Sequence, residues 1–187
     1  MYDDLKKAVE VLKNGGIILY PTDTIWGIGC DATNETAVRK VYEIKKREDS
    51  KSMLVLMENI NLLERYVEAI PEVAFDLIEL SEKPVTIIYD GAKNLAKNLI
   101  AADGSIGIRI TSEKFSQELI RRFRKPVVST SANISGEPSP ANFSEISEEI
   151  KSVVDYIVQY RQDEHTKSVA SSIIKLGKNG DVKIIRK

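Results

Sequence analysis

Short apolar runs alternate with segments of helical period along all 187 residues, and this alternation leaves few folds open. Leu5, Val9 and Leu12 share one helical face, which Asn14-Gly15-Gly16 stops. Ile17-Ile18-Leu19-Tyr20 follows as a short buried strand ended by Pro21. The spacing predicts a second helix from about Thr33, as its N-cap, through Val38, Val41, Tyr42 and Lys45. Further strands are expected at Ser52–Met57, Val85–Tyr89, Ser105–Ile110, Pro126–Thr130, Val154–Val158, Ser171–Leu176 and Val182–Arg186. Helices are expected at Leu62–Val67, at Pro71–Leu80 with Pro71 in the first position, at Glu113–Phe123 and near Ser144–Lys151. A polar loop fills Ser131 to Asn142. Gly177–Gly180 is a hairpin signal, so the last two strands must run antiparallel. The expected architecture is α/β, with a mixed, twisted sheet, helices on its faces and one domain over 1–187.

Charge and composition narrow the function. Lysine and arginine number 27 against 28 acidic residues, a net charge of −1, so phosphate binding must be local and not a whole basic surface. Cys30 is the only cysteine and His165 the only histidine, which removes disulfides within the chain and cysteine or histidine-rich metal sites. His165 lies in a polar run and reads as a surface residue. No apolar run approaches a membrane span, and the start lacks the basic-then-apolar pattern of a leader. A cytoplasmic protein without membrane contact is expected.

Three segments carry chemistry. Tyr20-Pro21-Thr22-Asp23-Thr24-Ile25-Trp26-Gly27-Ile28-Gly29 runs from a strand into hydroxyls and glycines, and reads either as an ordinary turn or as a site where a ligand meets backbone. Lys45-Lys46-Arg47-Glu48-Asp49-Ser50-Lys51 would place Lys45, Arg47 and Lys51 on one side if the chain is extended there. Three cations suit a triphosphate or a carboxylate, but a solvated helix end favours lysine and arginine anyway, and on this segment alone that is the better reading. Val127-Val128-Ser129-Thr130-Ser131-Ala132-Asn133 is an apolar strand opening into hydroxyls and an amide, where α/β sheets collect ligands, or a capping turn before Pro138. Ser105 and Arg109 fall on one face of a strand with Gly107 between them, and Arg109 needs either a structural carboxylate or a ligand anion. Arg121-Arg122-Phe123-Arg124-Lys125 reads as a solvated helix end, not an RNA patch.

In order, these motifs resemble the YrdC/Sua5 family of threonylcarbamoyl-AMP synthases. The resemblance rests on Tyr20-Pro21-Thr22-Asp23-Thr24, Lys45-x-Arg47-x-x-x-Lys51, Gly107-x-Arg109, Ser131-Ala132-Asn133-x-Ser135-Gly136 and Ser171-Ser172. It runs from about Lys6 to Arg186, and the length is similar to the short YrdC type. Glu48, Ser52, Lys83, Trp26, Leu56 and Ala141 depart from residues common in the family.

The resemblance implies a three-layer α/β fold (α+β in some schemes) with about seven strands around a concave basic cavity. It implies an enzyme that joins L-threonine, bicarbonate and ATP with Mg²⁺, releases pyrophosphate, and passes threonylcarbamoyl-AMP to a transferase system acting on adenosine 37 of tRNA. By the same matching, Lys45, Arg47, Ser131 and Asn133 form the catalytic set. Arg47, Lys51, Ser105, Asn133 and Arg186 would hold ATP, and Thr24, Arg109, Ser131 and Ser171 or Ser172 would hold threonine. No protein side chain is expected on the metal. Two other readings share the fold: a YciO-type paralogue with another substrate, and a double-stranded RNA-binding module, for which net charge −1 leaves only weak, salt-sensitive binding. The synthase reading predicts that Lys45→Ala or Arg47→Ala abolishes turnover while thermal stability stays near wild type. Each lost cation would cost roughly 2–4 kcal/mol of transition-state stabilisation, read from initial rates.

Overall fold

The computed structural model describes residues 1–46, 53–165, 170–177 and 180–187. Its strands are β1 (Ile18–Tyr20), β2 (Gly27–Gly29), β3 (Leu54–Met57), β4 (Val85–Tyr89), β5 (Ile106–Ile110), β6 (Val127–Ser131), β7 (Tyr156–Ile157), β8 (Ser172–Leu176) and β9 (Val182–Arg186). They make one sheet in the order β7-β1-β2-β6-β3-β5-β4-β8-β9. Pairs β1–β7, β3–β5 and β4–β8 are parallel, and the remaining pairs are antiparallel. The sheet is therefore mixed, and the terminal hairpin β8–β9 is antiparallel as its turn signal required. Val55, Leu56, Val127 and Val128 are consecutive yet buried on both faces, which is why the central strands read as continuous apolar runs.

The helices are α1 (Tyr2–Lys13), α2 (Glu35–Ile44), α3 (Val73–Leu80), α4 (Lys114–Phe123) and α5 (Glu148–Lys151). Helix α1 buries Leu5, Ala8 and Leu12, at the spacing its sequence carries, and packs against α4. Helix α4 buries Phe115, Leu119, Ile120 and Phe123 and reaches β3. It ends on Arg124 in the left-handed region, φ 63°, where its N–H still closes on Ile120 O. The basic cluster is a helix end as expected: Arg121 and Arg122 pair with Glu118, and Lys125 with Asp31. His165 is exposed, and no helix among the described residues is long and apolar enough to cross a membrane.

Several expectations are corrected. The described sheet has nine strands, not about seven. One addition is β2, whose Gly-Ile-Gly sequence reads as a turn but pairs with both β1 and β6. Glycine is required there by packing, because a Cβ on Gly29 would stand 2.6 Å from Tyr20 Cε1 and 2.8 Å from Val128 O. Asn34, not Thr33, caps α2, since its Oδ1 accepts from the N–H groups of Thr36 and Ala37. Thr33 instead donates its hydroxyl and N–H to Asp31. Residues 60–65 form a 3₁₀ helix, α3 begins two residues after Pro71, and the helix expected near Ser144–Lys151 breaks into a 3₁₀ turn and short α5. The strand expected at Val154–Val158 pairs only over β7.

The close approach of β1, β2 and β6 makes a direct prediction. Gly29→Ala should destabilise the protein by about 1–3 kcal/mol or more, read from its urea unfolding midpoint.

Candidate functional site

Residues from β2, β3, β4, β5, β6, β8 and β9 line a cavity of about 280 Å³. Strand alternation builds its floor: Ser105, Gly107 and Arg109 share one face, beside Thr86 and Ile88 of β4. Across β4 lies Ile173 of β8, with Ser171 just before it. Ser129, Thr130 and Ser131 of β6 and the turn Thr24–Gly27 form the opposite wall. Trp26 in that wall is braced by Phe143, ring centroids 4.8 Å apart. Hydroxyls and the guanidinium groups of Arg109 and Arg186 supply the polar lining, and the described lining contains no carboxylate side chain. Such a surface donates to anions.

Arg109 is the most unusual member. Its side chain is 3% exposed, and Nη2 lies 3.1 Å from Oδ1 of Asp23, itself 6% exposed. The pair is off the hydrogen-bonding line, so Arg109 Nε and Nη2 and Asp23 Oδ1 have no hydrogen-bond partner among the described residues. Burial lowers the guanidinium's affinity for its proton, and the Asp23 charge opposes that shift. Of the two alternatives raised for Arg109, the structural carboxylate is present as Asp23, and it leaves Nε and Nη2 without a hydrogen-bond partner among the described residues. The same desolvation raises the Tyr20 phenol beneath, with the Ser129 hydrogen bond opposing it.

The other expected residues divide. Thr24, Ser105, Ser131, Ser171 and Arg186 all line the cavity. Thr24 Oγ1 lies 3.1 Å from Thr22 Oγ1, and Ser171 Oγ lies 2.8 Å from Thr86 Oγ1. Arg186 donates through Nε and Nη2 to Ser171 O at 2.9 and 2.7 Å, tying the last strand to the floor. Ser172 does not line the cavity; it begins β8 and pairs with Val85, so of the two serines Ser171 is the one presented. Arg47 and Lys51 lie outside the described residues.

Lys45 and Asn133 stand behind the wall. Lys45 is 1% exposed, and its Nζ donates to Ser131 O and Asn133 O, both at 2.6 Å, and to Asn133 Oδ1 at 3.4 Å. Its own carbonyl accepts from Ser135 N–H at 2.8 Å. Asn133 Nδ2 donates to Ile134 O and Glu137 O, closing the loop on itself. The extended course considered for Lys45–Lys51 is not taken at its first two residues, since Lys45 is helical, with φ −79°, and Lys46 is left-handed, with φ 48°; residues 47–51 lie outside the described residues. Sequence reasoning left Thr86 and Ser139 out of the site, and placed Ser129 and Thr130 in the hydroxyl segment without giving either a role. Period-two alternation with Ile88 and Ser131 signals Thr86 and Ser129; Thr130 has the opposite parity and reaches the cavity only at the strand's end.

Comparison with known proteins bears on the family and the fold. The Sua5_yciO_yrdC family model, described as "Telomere recombination", matches residues 10–187. A putative threonylcarbamoyl-AMP synthase of Methanocaldococcus jannaschii is 37% identical over 179 residues, covering 93% of this chain and 83% of that protein. Escherichia coli YciO superposes with a TM-score of 0.86 at 24% identity, over 100% of this chain and 90% of its own. Sua5 of P. abyssi, solved in complex with L-threonine, gives 0.82 at 23% identity, over 92% of this chain and 50% of that longer one.

The hydrogen bonds of Lys45 revise the outcome expected of its removal. Lys45→Ala should lower stability by about 3 kcal/mol, because a cation that satisfies buried carbonyls is lost. Lys46→Ala should leave the urea midpoint unchanged, since among the described residues Lys46 pairs with Glu149 at the exposed surface.

Proposed function

This chain belongs to the Sua5/YciO/YrdC family, and from that premise we propose that it is an L-threonylcarbamoyladenylate synthase, a nucleotidyltransferase. The observation that carries the reading is Arg109, a buried guanidinium with unfilled donors in a cavity lined by hydroxyls. An amino acid carboxylate completes its hydrogen bonds, and Thr24, Ser131 and Ser171 surround that end with hydroxyls for the rest of L-threonine. Threonine's amine and bicarbonate give an N-carboxylate and water. A carbamate oxygen then attacks the α-phosphorus of ATP, and pyrophosphate leaves as the new P–O bond forms.

Negative charge grows on phosphoryl oxygens during this step, so the protein's task is positioning and cationic stabilisation. Arg186 supplies one cation at the cavity, and Arg47 and Lys51 are assigned to the phosphates by their motif. Lys45 acts one layer back, holding the carbonyls of Ser131 and Asn133 so that the Ser131 hydroxyl is kept in place, while the Asn133 amide ties the loop to Ile134 O and Glu137 O. The described lining fits a Mg²⁺–triphosphate complex that brings its own oxygen ligands, because it offers donors and no carboxylate. Mg²⁺ bound there would neutralise charge on the phosphates. The product goes to the transferase system that modifies tRNA, and RNA contact by this chain itself is weak and salt-sensitive.

Two measurements test the reading. Pyrophosphate release from ATP should require both threonine and bicarbonate; no release with Mg²⁺ and all substrates present would overturn it. Arg109→Lys keeps a charge opposite Asp23 but loses the planar fork, so the KM for threonine should rise about tenfold while the thermal midpoint changes little. An unchanged threonine KM would reduce Arg109 to a structural partner of Asp23.

A further inference from the structure

Among the cavity's hydroxyls, Ser105 has its proton already placed. Its Oγ donates to Asp103 Oδ1 at 2.6 Å, and its backbone N–H reaches the same oxygen at 3.0 Å. Asp103 Oδ2 accepts from Lys175 Nζ at 2.8 Å. The Lys175 hydrogen bond, and then those from Ser105, hold the Asp103 carboxyl well below the usual carboxylate range. The turn is set by its own backbone: Gly104 N–H meets Ala101 O at 2.8 Å, Ala101 N–H meets Ser105 O at 3.0 Å, and Gly104 takes φ 78°. By contrast, in the Thr86–Ser171 pair either hydroxyl can donate.

A hydroxyl has one proton and two acceptor lone pairs. With the proton given to an ionised carboxylate, Ser105 meets the cavity as an acceptor only. The oxygens of an ionised triphosphate are acceptors as well. One placed about 3 Å from Ser105 Oγ would also stand within roughly 6 Å of the Asp103 carboxylate, a like-charge approach. A sugar hydroxyl brings the proton that Ser105 lacks.

We propose that Ser105 reads a ribose hydroxyl of the nucleotide and not a phosphate oxygen, and that Asp103 and Lys175 are positioning residues that fix the direction of its proton. The inference rests on the nucleotide-using reading above and gives it a specificity: ribonucleotides over deoxyribonucleotides. It gives Ser105 a place within the nucleotide site and adds Asp103 and Lys175, which lie outside the described cavity lining.

The test compares kcat/KM for pyrophosphate release with ATP, 2′-deoxy-ATP and 3′-deoxy-ATP. The proteins are wild type, Ser105→Ala, Asp103→Ala and Asp103→Asn. The ratio of ATP to each deoxynucleotide is taken within one protein preparation, so any loss of folded protein cancels. Wild type should prefer ATP over one of the two deoxynucleotides by about 3- to 10-fold, the span of a single neutral hydrogen bond. Ser105→Ala should bring the ratio of ATP to that deoxynucleotide down to about one. Asp103→Ala should shrink the preference, and Asp103→Asn, which keeps an acceptor oxygen for Ser105, should restore it.

Equal use of all three nucleotides by wild type would overturn the assignment, as would a uniform fall with all three in Ser105→Ala, the mark of a phosphate contact. A preference untouched by Asp103→Ala would remove the positioning role. If wild type turns over none of them, the synthase reading has failed by itself. The same ratios are then read from nucleotide affinities by calorimetry, where equal or absent binding overturns the ribose contact too.

Discussion

Burying a guanidinium almost completely is expensive unless its donors are met, and much of the site is organised around that cost at Arg109. Asp23 supplies the opposing charge, so the turn after β1 must bring that carboxylate against the face of β5. The turn is held from outside. Ser116 Oγ donates to Pro21 O at 2.9 Å, and Arg161 Nη1 donates to Thr22 O at 3.2 Å. Thr22 Oγ1 ties it from within by donating to Ile25 O at 2.8 Å. These contacts come from α4 and from residues far along the chain. Arg109 thus couples the sheet, the turn that carries Thr24 and helix α4, while its Nε and Nη2 find no hydrogen-bond partner among the described residues.

A second buried cation works differently. Lys45 has its ammonium among carbonyl oxygens of the loop after β6, and the same residue's backbone holds Ser135. Its motif suggested a phosphate-facing charge; among the described residues its ammonium holds two carbonyls of the wall from behind. Asn133, matched to the same motif, also directs its amide into the loop. A motif preserves residue types for either reason, and burial with hydrogen-bond direction is what separates them.

Much of the architecture was legible because it depends on local periodicity. The buried faces of α1 and α4, strands β4, β5, β6, β8 and β9, and the antiparallel last pair all follow from spacing and turn residues. Alternation also placed Ser105, Gly107 and Arg109 on one face, and all three line the cavity. Strand β2 was not legible, because Gly29 answers to the ring of Tyr20 and the carbonyl of Val128, and Gly27 to the Ser129 hydroxyl, partners that only the pairing with β1 and β6 brings close. The α2 cap moved by one residue because Asp31 claims Thr33, a competition no propensity records. Ser171 and Ser172 are equivalent as a dipeptide until β8 takes its register on β4, after which one faces the cavity and the other does not.

The amino-acid sequence by itself determined the class of fold, the order of its elements and the motifs that mark the family, since these rest on residue type and short-range spacing. Only the tertiary structure decided what each polar group is for. The direction of the Ser105 proton, the carboxylate opposite Arg109 and the carbonyls around Lys45 are relations between residues distant in sequence or set by a turn's geometry. A hydrogen bond depends on where its partner stands and on how little water remains between them, and neither is written in the spacing of the chain.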